Sequence, residues 1–164
     1  MGEYHSLVAR IISLLKENNF WFETFEHEPV RTSEQAAKIR TGYSLEQGTK
    51  ALIVKAYGKT ENSFVMLIVR GSDKFEEKKV KDLLAIKEFR FATEQEVGEL
   101  TNGVLSGGVP PFGNLFGLKV FVDKKILSNE KVVFNAGDKR FSVGIYSKDW
   151  LNLVKPEICE IAQK

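Results

Sequence analysis

Apolar positions along this chain recur at two periods. Leu7, Val8, Ile11, Ile12 and Leu15 stand at helical spacing behind Ser6, and Asn18-Asn19 is the expected stop. Phe20-Trp21-Phe22-Glu23-Thr24-Phe25 then has the aromatic content of a strand. Thr32 with Gln35 predicts a capping box that opens a short helix, ended by Gly42. Ala51 to Tyr57 and Phe64 to Val69 are apolar, β-branched-rich runs either side of a polar turn, as in a hairpin of two largely buried strands. Asp73 with Glu76, and Thr93 with Glu96, predict two further capped helices, with Phe89-Arg90-Phe91 as a short strand between them. Leu118 to Val122, Lys131 to Phe134 and Phe141 to Tyr146 read as strands. A last helix is expected from Asp149 towards Ala162, kinked or interrupted at Pro156.

Helices here are interspersed with hairpins and do not alternate strictly with strands. That order predicts an α+β domain, a mixed, mostly antiparallel sheet with surrounding helices, over a doubly wound fold. The chain of 164 residues has no repeat, low-complexity tract or linker, so one domain is expected over residues 1–164. At that length folding buries roughly 70% of the surface of the unfolded chain, enough for a core without staples. Twelve phenylalanines point to an aromatic-rich core or pocket.

Charge and cysteine usage narrow the chemistry. A net charge of +2 is too small for a general nucleic-acid coat, so any RNA contact must use local patches. Two candidates are Lys74, Lys78, Lys79 and Lys81 on one helix, and Lys119, Lys124, Lys125, Lys139 and Arg140 near the later strands. The single Cys159 excludes an intramolecular disulfide and a cysteine-based zinc cluster, and His5 and His27 lack ligand spacing. No metal or other cofactor is expected. With no signal peptide and no apolar run near 18 residues, the expectation is a cytoplasmic protein without a membrane partner.

Ser106-Gly107-Gly108-Val109-Pro110-Pro111-Phe112-Gly113 is the least ordinary stretch. Its glycines let backbone N–H groups approach a ligand and its prolines stiffen the loop, which suits an oxyanion or phosphate. An arbitrary Gly/Pro loop is more often a stiff connection. Lys50, at the mouth of the run Ala51-Leu52-Ile53-Val54, is placed to reach into a cleft, although most such lysines are solvated strand ends. His27 follows the first strand, Asn135-Ala136-Gly137 reads first as a turn, and Ser142 is a polar position on a sheet face. Cys159 reads as a small hydrophobe in the last helix. No Gly-x-Ser-x-Gly elbow, Cys/His signature or His-Glu-x-x-His is present. An enzyme with this sequence is expected to work by positioning and electrostatics.

In order and spacing these pieces resemble the YbaK/prolyl-tRNA-synthetase-associated domain family, from about residue 20 to residue 155. The matching segments are His27-x-Pro29 with Thr32-x-x-x-Ala36-Ala37, Gly48-Thr49-Lys50-Ala51-Leu52, and Ala92-Thr93 with Glu96-Val97. Further on come Thr101-x-Gly103 through the loop Gly107 to Gly113, then Val120-Phe121-Val122-Asp123, then Asn135-Ala136-Gly137. The resemblance implies hydrolysis of the ester joining a wrong amino acid to the terminal adenosine of a tRNA, by a free-standing factor acting in trans. It implies no metal, and a substrate ribose 2′-hydroxyl that helps activate the attacking water. The family's key lysine falls on Lys50 and its Gly-Pro loop on Gly107 to Gly113.

Lys50, Gly107 and Gly108 are accordingly expected to be catalytic. Phe25, His27, Thr32, Val109, Pro110, Pro111, Phe112, Gly113, Asn135, Gly137 and Ser142 are expected to contact the substrate. The implied partners are the acceptor end of mischarged tRNA and an aminoacyl-tRNA synthetase. The cysteinyl-tRNA(Pro) deacylase branch has Tyr where Phe25 stands and Asp where Ser142 stands, so cysteine specificity does not carry over. With Pro110, Pro111, Phe112 and Phe25 as rigid apolar walls, a small amino acid is expected, alanine first and serine second. A non-catalytic tRNA-binding or synthetase-associated module with the same fold is the alternative. A hydrolase of free small esters is a third reading, lowered by the missing nucleophile elbow.

Overall fold

The protein is described here by a computed structural model covering residues 3–30 and 32–164. Helix α1 (Ser6–Glu17) buries Leu7, Val8, Ile11 and Leu15, the face its period predicts. Its cap is His5, whose Nδ1 accepts the Leu7 N–H at 3.0 Å. Strand β1 (Phe22–Glu26) starts later than its aromatic run. The Phe20 N–H still returns to Leu15 O, so Phe20 and Trp21 belong to the turn that leaves α1.

Helix α2 (Ser33–Ile39) opens on Thr32, whose hydroxyl accepts the Gln35 N–H. The hairpin of β2 (Thr49–Tyr57) and β3 (Asn62–Arg70) pairs antiparallel throughout. After it come α3 (Glu77–Leu84), β4 (Glu88–Phe91) and α4 (Glu94–Thr101). The capping box at Thr93 and Glu96 is formed on both sides. The one expected at Asp73 is not. Glu76 caps α3, while the Asp73 carboxylate is held by Arg70 Nε and Nη2 at 2.8 and 3.1 Å.

Strands β5 (Lys119–Asp123), β6 (Lys131–Asp138) and β7 (Phe141–Tyr146) precede α5 (Ser147–Val154). The last helix is therefore shorter than its pattern suggested. It stops at Lys155, in a left-handed conformation, because Pro156 has no N–H to continue it. The chain then forms β8 (Glu157–Cys159), parallel to β5, which places Cys159 in a strand and not in a helix. Its thiol donates to Val122 O, and burial pushes its pKa up to about 12. Asn135-Ala136-Gly137 is likewise no turn. These residues lie in β6 at a register shift against β7, a bulge at which Gly137 takes φ +106°.

Two sheets result, an antiparallel one in the order β1-β7-β6 and a mixed one in the order β4-β2-β3-β5-β8. In the second, β3–β5 and β5–β8 are parallel and the other pairs antiparallel. Gly48 and Val133 bridge the two sheets. The run Val65–Val69 is apolar without a break because both faces of β3 are covered. Met66 and Ile68 enter the main core with α1, α4 and α5, whereas Val65, Leu67 and Val69 pack under Val80 of α3. Among the described residues no helix is long and apolar enough to cross a membrane.

Candidate active site

Where the two sheets meet, α2, the start of β2, the glycine loop and β6 surround a cleft of about 380 Å³. Thr32 and Arg40 come from α2 and its ends, Lys50 from β2, Gly107 and Val109 from the loop, and Asn135 from β6. The bulge in β6 turns Asn135 towards the loop, and its Nδ2 donates to Gly107 O at 2.8 Å. Lys50 is half-buried, with Nζ donating to the main-chain oxygen of Asp73 at 2.8 Å. That oxygen is a neutral acceptor, and among the described residues Lys50 makes no ion pair.

Main-chain groups also reach this space. Ile53 O accepts the Ala92 N–H on the side of β2 away from β3. Ala51, two residues back, turns its N–H and C=O to that same side, beyond the end of β4 and on the cleft wall. Within the loop, Gly108 N–H donates to Leu105 O and Val109 N–H to Ser106 O, so both are committed to the loop's own turn. Among the described residues Gly107 N–H has no such bond, which leaves it as the loop amide open to a ligand. A Cβ on Gly107 would stand 2.7 Å from Lys139 Cε, so Lys139 lies over the loop.

Arg40 is the residue that sequence reasoning missed. Its side chain crosses beneath the cleft, with Nε donating to Ser142 Oγ and Nη2 to Asn135 Oδ1, both at 2.9 Å. It is only 6% exposed, and burial lowers its pKa to about 10, so it remains a cation at neutral pH. The only hint in the sequence is its position at the end of the helix that carries Ala36-Ala37, both on the cleft wall.

Several expected contacts lie elsewhere. Ser142 is fully buried and supports Arg40 from behind, with Oγ also 2.8 Å from His27 Nε2 and 3.1 Å from Asn135 Oδ1. His27 Nδ1 meets Glu28 O at 2.8 Å; burial, opposed by that carbonyl and aided by Arg40, lowers the imidazole pKa. Phe25 stacks edge-on against Tyr43 and does not face the cleft. Phe112 is fully buried against Phe134, so the expected apolar wall is core. Pro110 and Pro111 are buried and their carbonyls accept Phe112 N–H and Trp150 Nε1–H. Gly108 lies against the backbone of Asp138, Gly113 against Met66 and Val120, and Gly137 against Leu7. These glycines and prolines shape the cleft from outside it.

The two basic patches are largely tied down. Lys81 pairs with Glu77, Lys119 with Glu157, Lys124 with Glu160 and Arg140 with Asp138. Lys79 and Lys125 donate to main-chain oxygens near the C-terminus. Among the described residues no three His, Cys, Asp or Glu side chains gather as metal ligands.

A small cleft with a half-buried ammonium, a buried guanidinium and an open loop amide is a site for a substrate that carries or develops negative charge on oxygen. Comparison with known proteins specifies the class. The aminoacyl-tRNA editing domain family matches residues 27–153, and the chain belongs to that family. It is 31% identical over 150 residues to the multifunctional Ser/Thr-tRNA deacylase ProXp-y of Escherichia coli (strain K12), covering 91% of this chain and 89% of that protein. It is 32% identical over 130 residues to a proline–tRNA ligase of Bacillus licheniformis, covering 77% of this chain but only 22% of the ligase. The crystal structure of a candidate trans-editing enzyme for prolyl tRNA synthetase superposes with a TM-score of 0.82 at 24% identity. That match covers 99% of this chain and all of the other, and at such identity it concerns the fold.

Proposed function

We propose that this protein is an aminoacyl-tRNA deacylase, a single editing domain that hydrolyses the ester of a mischarged tRNA in trans. The observation that carries the reading is the convergence of Lys50, the Gly107 amide and the β2 edge on one cleft, in a chain of the editing family. An ester needs no strong nucleophile, and its tetrahedral transition state carries an oxyanion. Fixed donors in a partly desolvated cleft stabilise that charge without reorganising during the reaction. Lys50 supplies a cation, Gly107 N–H a dipole, and Ala51 main-chain groups a rail against which the aminoacyl group is held. The attacking water is oriented by the substrate's own ribose hydroxyl.

The walls set the specificity. Thr32, Ser44, Ser106 and Asn135 line the cleft, and among the described residues no aromatic ring does. A small side chain is therefore favoured, and a hydroxyl on it finds partners that a methyl group does not. This replaces the order expected from an apolar wall, alanine before serine: serine and threonine should be released ahead of alanine, and alanine ahead of valine. A site built to hydrogen-bond a hydroxyl discriminates more strongly than one that only excludes a methylene, which is worth about 1–3 kcal/mol.

The test is a deacylation panel on one tRNA carrying serine, threonine, alanine, valine or proline in turn. Fastest release of serine or threonine is expected. Faster release of valine or proline would overturn the small polar pocket. Binding of the charged tRNA without release of any amino acid would favour the non-catalytic module instead.

A further inference from the structure

Most buried charges in a folded chain are neutralised within it, and Arg40 is not. It is 6% exposed, yet among the described residues it makes no ion pair. Glu34, the one carboxylate on the cleft wall among the described residues, makes no ion pair with it. Its two partners, Ser142 Oγ and Asn135 Oδ1, are neutral. A guanidinium has five N–H donors in a planar fork, so two are used here and three remain, on a residue that lines the cleft. Holding a hydroxyl and an amide oxygen needs only neutral donors, and an unpaired buried charge is costly to a fold. The charge itself therefore has no use inside the chain.

We infer that Arg40 is the anion-binding group of this cleft, taking an oxygen anion of the substrate through the guanidinium donors that the chain leaves open. The inference rests on the deacylase reading and extends it to a second cation of the same cleft, beside Gly48. Two oxygen anions reach such a cleft with an aminoacylated 3′ end, the phosphate that leads into the terminal adenosine and the oxyanion of the tetrahedral intermediate. A planar fork suits either. Ser142 is a positioning residue, because it holds the fork from outside the cleft, while Asn135 holds it from the cleft wall.

Two measurements on Arg40→Gln and Arg40→Lys separate the sources. The first compares binding of adenosine 5′-monophosphate with that of adenosine. If Arg40 takes the phosphate, the wild-type protein prefers the monophosphate, and Arg40→Gln loses roughly ten- to a hundredfold of that preference. The concentration for half-maximal deacylation should then rise while the single-turnover rate at saturation holds. If Arg40 takes the oxyanion, both nucleosides bind alike, and the single-turnover rate falls about 100- to 1000-fold at unchanged half-saturation. Arg40→Lys, which keeps the charge and loses the fork, should recover part of either loss.

Should Arg40→Gln fail to fold, Asn135→Asp is nearly isosteric and places a carboxylate where Oδ1 accepts from Nη2, neutralising the guanidinium in place. It should show the same loss. A folded variant of either kind that matches the wild type in both measurements overturns the inference. If the wild type releases no amino acid from any charged tRNA, the deacylase reading fails. The nucleotide comparison then decides on Arg40, a phosphate preference lost in the variants upholding its role and no preference refuting it.

Discussion

Among the described residues the protein buries two charged side chains of opposite sign, and it treats them differently. Asp123, 2% exposed at the end of β5, accepts N–H groups from Lys125, Ile161 and Ala162 at 2.8 to 2.9 Å. Burial raises its pKa, but those three donors outweigh it and leave the carboxyl lowered. Every donor it meets belongs to the chain, and together they pin the C-terminal segment beside β5. Arg40, 6% exposed on the cleft wall, meets two neutral acceptors and, among the described residues, no carboxylate. The first charge is consumed by folding and the second is held ready for something outside the fold. Removing each should therefore damage different properties.

The largest effect sharpens the ligand side of that contrast. Lys50→Ala should lower single-turnover deacylation by about 100- to 1000-fold, the usual loss of one oxyanion donor. The melting temperature should change little, since among the described residues Lys50 Nζ holds the Asp73 carbonyl and makes no ion pair. A folded variant with near wild-type turnover would remove Lys50 from the site.

On the folding side, Asp123→Ala strands three N–H groups, two of them buried with the C-terminal residues. Each unsatisfied group costs about 1–3 kcal/mol, so denaturant unfolding should show a loss of about 3 kcal/mol or more. The remaining folded protein should deacylate normally. Lost turnover in the folded fraction would break the contrast.

His27 tests the network between these extremes. Its pKa is lowered in the folded protein, so folding favours the neutral ring. Stability should be fully present above the ordinary histidine value of about 6.5 and fall as pH drops through the lowered folded value. His27→Gln should flatten that part of the stability–pH curve, and an unchanged curve would show that another group titrates there.

The smallest effect is expected from the exposed pairs. Lys124→Ala breaks an ion pair with Glu160 in which both side chains are 60% exposed, and surface pairs contribute little. Neither melting temperature nor the salt dependence of tRNA binding should move measurably. Charge reversal at Lys139, which lies over Gly107, should weaken tRNA binding and reduce its salt dependence. Equal effects at both positions would mean that RNA contact is spread over the surface.

Local pattern by itself determined most of the secondary structure. The period of α1, the cap at Thr93, the unbroken apolar run of β3 and the Gly/Pro loop are written in neighbouring residues. The expected site came from the family resemblance of ordered segments, and the fold places Thr32, Lys50, Gly107, Val109 and Asn135 of it around one cleft. Tertiary structure decided the rest, because burial and partnership are properties of residues far apart in the chain. Asp73 reads as a cap until Arg70 claims its carboxylate. Phe112 reads as a pocket wall until Phe134 takes it into the core, and β8 is a strand only because β5 offers it an edge. Arg40 looks like an ordinary surface arginine at a helix end. Only when β6 and β7 bring Asn135 and Ser142, 95 and 102 residues later, against its guanidinium does it become a buried charge held by neutral acceptors.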